Sequence, residues 1–187
     1  MLRAASAAIE AGGLPNIRAR ALAEEAGCAV GAIYGVFPDL DALVLAVNAQ
    51  TLDAVGAALR DAGHHSDPAD QLARLAGAYL AYARAHRQRW RALFQHRMAP
   101  GRPVPAEYAG RLQAAFTVLD APLAALRPGM AEGERALLAQ TMFSAVHGVV
   151  DLGLDEKVAQ LTPDVLAAQL DGLVRAMAAG LAAGAAR

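Results

Sequence analysis

The stretch from Arg18 to Leu43, RARALAEEAGCAVGAIYGVFPDLDAL, sets the tightest limit on what this chain can fold into. Leu22, Ala23 and Ala26 fall on one face of a short helix, with Arg18, Arg20, Glu24 and Glu25 outside it. Gly27 follows at once, where a residue free to take positive φ ends a helix in a left-handed turn. Only Cys28 and Ala29 separate it from a second helical run of Val30, Ile33, Tyr34 and Phe37, closed by Pro38 because a helix seldom continues into proline. Two short helices joined by a tight glycine turn make a helix-turn-helix, the device that can lay its second helix in the DNA major groove.

The order Ala26-Gly27, Gly31, Ile33-Tyr34, Phe37, Asp41, Leu43 sharpens that pattern. It resembles the DNA-binding domain of the TetR family of bacterial transcriptional regulators. That family reads Ala-Gly-Val-Ser-x-Gly-x-Leu-Tyr-x-His-Phe-x-Ser-Lys-Glu-x-Leu, and this chain reads AGCAVGAIYGVFPDLDAL without a gap. Four positions depart from it. Ala29 replaces the serine that caps the recognition helix, Val36 a histidine or tyrosine, Leu40 a lysine, and Arg18 the threonine that opens the preceding helix. Losing the serine cap costs a short helix about 1 kcal/mol. Losing the lysine removes a cation of the kind that gives sequence-independent DNA affinity.

The resemblance implies an all-α fold, with a three-helix head (residues 1–47) and a larger helical domain for ligand binding and dimerisation (48–187). It also implies that Arg18, Arg20 and Tyr34 contact phosphate and that Ala29, Val30, Gly31 and Gly35 face the duplex. Val30, Gly31, Ala32 and Gly35 carry no hydrogen-bonding side chain. Sequence would then be read through thymine methyls, backbone and DNA shape.

Charge does not reinforce the DNA reading. The chain of 187 residues has a formal charge of −1, and Met1 to Leu43 holds Arg3, Arg18 and Arg20 against Glu10, Glu24, Glu25, Asp39 and Asp41, a net −2. A helical small-molecule-binding dimer without operator recognition is therefore the alternative reading. The single cysteine, Cys28, cannot form an intramolecular disulfide and suits a packing role in a reducing cytoplasm. Met1 to Ala11 lacks the continuous apolar core of a secretory signal, and no uncharged apolar run reaches the ~18 residues of a membrane span, so a cytoplasmic protein without a membrane partner is expected.

Along the chain, Ala4 to Glu10 predicts a first helix ended by Gly12-Gly13, and Asp39 predicts an N-cap for a fourth helix running through Leu43 and Leu59 to Gly63. By resemblance this long helix is the lever between the head and the rest. Gly63 to Pro68, GHHSDP, is a linker by composition. Its adjacent His64 and His65 make a poor metal site, and no metal or cofactor is expected. Leu72 to His86 predicts a long amphipathic helix, Trp90 to Phe94 a shorter one, and Tyr108 to Leu123 a helix interrupted near Pro122.

The span Glu132 to Leu154 bears no charge between Ala136 and Val150, which predicts a helix buried nearly all round. Its Phe143-x-x-x-His147-Gly148 resembles the Trp-x-x-x-His-Gly signature of one TetR-like C-terminal subclass. Thr162-Pro163 opens a last helix through Leu166, Leu170 and Val174. By resemblance these last two helices pair across a two-fold axis, giving a homodimer that reads a palindromic double-stranded operator and is released by an effector. Tyr79, Tyr82, Trp90, Phe94, Met98, Phe116, Met142, Phe143 and His147 are the candidate effector-lining residues, suited to an apolar or aromatic small molecule. Ser144 and His147 stand one helical turn apart, but no oxyanion-forming loop or third group accompanies them, so no catalytic residues and no enzyme activity are expected.

Overall fold

A computed structural model describes residues 1–155, 157, 158 and 160–185. The described residues form ten α-helices and two 3-10 turns, with no strand among them: α1 (Leu2–Gly12), α2 (Ala19–Glu25), α3 (Val30–Val36), α4 (Leu40–Asp61), α5 (Pro68–Ala85), α6 (Arg87–Gln95), α7 (Ala106–Phe116), α8 (Asp120–Leu126), α9 (Glu132–Gly153) and α10 (Pro163–Ala185). They pack as two units: Met1–Val55 with Ala85–Leu112, and Gly56–Arg84 with Gln113–Arg187.

The first unit closes around Ala5, Ile9, Leu22, Ala23, Ile33, Leu43, Val47 and Ala92. Ala92 is the informative member, because it comes from α6, which packs on α1. Beside it Trp90 is fully buried. Asn48, 1% exposed, donates its amide Nδ2 to the Ala92 carbonyl at 3.2 Å. Arg89 donates to the Thr51 hydroxyl at 3.2 Å, and that hydroxyl donates to the Val47 carbonyl. The head is thus completed by a segment far downstream in sequence.

Helix boundaries follow local chemistry. Asp39 accepts from the Ala42 N–H at 2.8 Å, the expected N-cap of α4. Asp67 accepts from Ala69 and Asp70 at the start of α5, so the linker ends in a cap. His65 also serves this turn, its Nδ1 accepting from the Asp67 N–H at 3.2 Å. The expected interruption near Pro122 falls one turn earlier, in the 3-10 turn Thr117–Leu119. Proline lacks the N–H that would bond four residues back, so the helix breaks before it and Pro122 sits in the first turn of α8.

The second unit buries Leu72, Leu75, Leu80, Leu123, Met142, Val146, Val150, Leu166, Leu170 and Val174. Helix α10 packs on α9 and on α8. Gly153 lets α10 in closely: a Cβ there would stand 2.3 Å from Leu166 Cδ1. The expectation that α9 is buried nearly all round is corrected. Within one chain its buried stripe is Ala139, Met142, Val146 and Val150, while Leu137 is 65% and Leu152 54% exposed. The uncharged middle consists largely of small or neutral residues such as Gln140, Thr141, Ser144 and Gly148, which do not demand burial as leucines do. By length and composition α4, α9 and α10 are each apolar enough to cross a membrane. Half of the apolar span of α4 is buried inside the protein, but only 17% of that of α9 and 22% of that of α10, so the last two helices keep open outer faces.

Candidate nucleic-acid interface and effector site

The head presents α3 outward because of how the turn before it is built. Helix α2 ends as the Ala26 N–H bonds the Leu22 carbonyl, Gly27 takes φ +65°, and the Cys28 N–H returns to the Ala23 carbonyl at 2.9 Å. Glycine enters this left-handed conformation without the strain a side chain would meet. Ile33 is fully buried and pins α3 to the core, with Cys28, Val30 and Phe37 partly buried around it. That leaves Gly31, Tyr34, Gly35 and Val36 on the outside, Tyr34 at 48% and Val36 at 62% exposure.

Of the residues expected at DNA, Arg18, Arg20, Ala29, Gly31, Tyr34 and Gly35 are exposed, whereas Val30 turns partly into the core. Ala29 holds the extended backbone of an N-cap but offers no side-chain bond to the helix, as expected for the missing serine. Two residues outside the expected set join this region. Arg102 forms an ion pair and hydrogen bond with Asp39, and His96 Nε2 lies 3.2 Å from Asp41 Oδ1. The Ala42 N–H and then the Arg102 guanidinium hold the Asp39 carboxyl below its usual range. No local signal in the sequence links residue 102 to residue 39; only their arginine and aspartate types are compatible.

The candidate effector residues fall into two groups. In the second unit Tyr79, Phe116, Phe143 and His147 come together. The ring of Phe143 meets Tyr79 edge-on at 5.5 Å and Phe116 edge-on at 5.1 Å, and stacks on His147 at 5.7 Å with planes 23° apart. The Tyr79 hydroxyl lies 2.9 Å from His147 Nδ1. Burial pushes the His147 imidazole below its ordinary pKa, opposed in part by Asp151 one turn on, so the ring is held neutral. Tyr82 and Met142 are buried in the same unit. Trp90 and Phe94 pair edge-on at 5.7 Å in the first unit, where Trp90 is core and Met98 is half-buried. Ser144 donates to the Gln140 carbonyl at 2.8 Å, the back-bond usual for serine within a helix.

Comparison with known proteins agrees with this layout. The model of the bacterial regulatory proteins, tetR family, matches residues 1–47, and that of the tetracyclin repressor-like C-terminal domain matches residues 72–177. No curated protein matches the chain. Among solved structures, a protein of unknown function from Rhodococcus sp. RHA1 is similar over 100% of this chain and 93% of its own, at 25% identity and a TM-score of 0.73. A TetR-like transcriptional regulator from the same organism is 22% identical over 96% of this chain and 93% of its own, with a TM-score of 0.63. A possible TetR family transcriptional regulator from Streptomyces coelicolor A3(2) is 20% identical over 97% of each chain, with a TM-score of 0.62. The last two likenesses speak for the fold alone. With the N-terminal match over the helix-turn-helix and the C-terminal match spanning more than half the sequence, this chain belongs to the TetR family of bacterial regulatory proteins.

Proposed function

We propose that this protein is a ligand-responsive repressor that binds a palindromic operator as a homodimer and is released by a small apolar or aromatic effector in the cytoplasm. The observation that carries the reading is α3 itself: a short helix pinned by Ile33, with Tyr34 and its glycine neighbours turned to solvent. The DNA-binding helices lie within residues 1–47, the ligand-binding and dimerisation helices within 48–187, and α6 from the latter stretch completes the core of the head. Arg18, Arg20 and Tyr34 hold phosphates, and Ala29, Gly31 and Gly35 let the backbone approach base edges closely.

The effector site is the Tyr79, Phe116, Phe143 and His147 cluster, lined further by Tyr82 and Met142. Its edge-on and stacked rings suit a flat ligand, and the Tyr79–His147 pair offers polar contact. Helix α4 contributes Leu40–Val55 to one unit and Gly56–Asp61 to the other, which supports its role as the lever. An effector acts only through a difference in affinity for the DNA-competent and released states.

A second copy of the chain covers the outer faces of α9 and α10. The α9 face alternates exposed Leu137 and Leu152 with Gln140, Thr141 and Ser144, a mixture suited to protein packing more than to lipid. Substitution of Leu152 by Arg then yields a monomer in sedimentation analysis. The decisive experiment is a mobility shift with duplexes from the region flanking the gene, at low and high salt. Specific, salt-sensitive binding of wild type, lost in Tyr34→Ala, is the expected result. No binding at low salt favours the competing reading, a ligand-binding dimer without operator recognition, to which the acidic residues of the head lend support.

A further inference from the structure

The first 43 residues carry net negative charge, yet the compact unit to which they belong does not. Residues 85–112 add six arginines (Arg87, Arg89, Arg91, Arg97, Arg102 and Arg111) against one acid, Glu107, so that Met1–Val55 with Ala85–Leu112 holds nine arginines against seven acids, a net +2. The placement of that charge is specific at one point. Asp39 stands three residues beyond the end of α3, so its Cα lies no more than about 10 Å from that of Val36, the last residue of the helix. That is about one Debye length at 0.1 M salt, close enough for a bare carboxylate to repel the phosphate chain. Asp39 is not bare. Arg102 pairs with it, at 44% and 36% side-chain exposure respectively, and His96 sits against the neighbouring Asp41.

We propose that Arg102 neutralises the Asp39 carboxylate beside the recognition helix, making residues 96–102 part of the DNA-binding surface. The inference rests on the reading of α3 as the DNA-facing helix. Arg102 is a positioning residue here: it removes a repulsion where the family pattern has a lysine one residue on and this chain has Leu40. It also accounts for how a head with an acidic sequence can meet a polyanion.

The test is fluorescence anisotropy with a labelled random-sequence duplex of about 30 base pairs at low salt, about 50 mM, where sequence-independent binding is strong. Wild type binds. Arg102→Ala binds about fivefold more weakly, the effect of one uncompensated charge felt by a few phosphates, while Arg102→Lys keeps most of the affinity. Asp39→Asn binds at least as tightly as wild type, since asparagine caps a helix as well as aspartate does. The double variant Asp39→Asn with Arg102→Ala returns to wild-type affinity, and circular dichroism confirms that each variant is folded. If wild type fails to bind, the reading of α3 falls and this inference with it. If wild type binds and Arg102→Ala binds equally, the inference alone is overturned. A loss in Arg102→Ala that Asp39→Asn does not repair overturns it too, as does weakened binding by Asp39→Asn alone should Arg102→Ala not fold.

Discussion

Replacing Ala29 by serine restores a cap that α3 lacks. Ala29 already has the extended backbone of an N-cap, φ −72° and ψ 149°, so serine enters without rearrangement. The gain is limited by a bond already present: the Ala32 N–H donates to the Ala29 carbonyl at 2.9 Å. A serine hydroxyl therefore serves the Gly31 N–H, or shares that of Ala32, and the gain falls at the low end of the capping range, about 0.5–1 kcal/mol. For a chain of this length that raises the melting temperature by about 1–4 °C. Because a cap acts on the helix it closes, hydrogen exchange within the short α3 is the sharper assay, and if these amides exchange through local opening those of Ile33 to Val36 should exchange about two- to fivefold more slowly. Unchanged exchange in α3 would show that its ends are set by the Ile33 anchor alone and would refute the capping argument.

Gly153→Ala should destabilise the second unit by about 1–2 kcal/mol, the cost of moving buried Leu166 less the small helical gain of alanine, whereas Gly77→Ala, with open space around it, should stabilise by about 0.5 kcal/mol; urea melts of both check the contrast. His147 is held neutral by burial, so its contribution to stability is whole above the ordinary imidazole value near 6.5 and declines as pH drops below it. Thermal melts between pH 5 and 8 should therefore fall off less steeply on the acid side in His147→Gln than in wild type.

What the sequence disclosed was local. Gly27, the Asp39 cap, the Thr162-Pro163 start of α10 and the buried Ile33 each follow from neighbours within a few residues, and periodicity exposes them directly. The pairings of Asp39 with Arg102 and of Asn48 with Ala92 join positions too far apart for any spacing rule. For the same reason the grouping of Tyr79, Phe116, Phe143 and His147, with Trp90 and Phe94 packed elsewhere, could not be drawn from their shared aromatic character. In helix α9 absence of charge does not amount to a demand for burial, since alanine, glycine and serine tolerate either setting.

The insertion of α6 into the core around Ile9 and Val47 bears on anyone who wants to move this head to another sensor. A chimera cut after residue 47 would take the helix-turn-helix but abandon Trp90 and Ala92, leaving an apolar face that a foreign body is not shaped to fill. During synthesis the same arrangement obliges the nascent head to wait until the ribosome has delivered α6. A functional graft has to carry both pieces of chain.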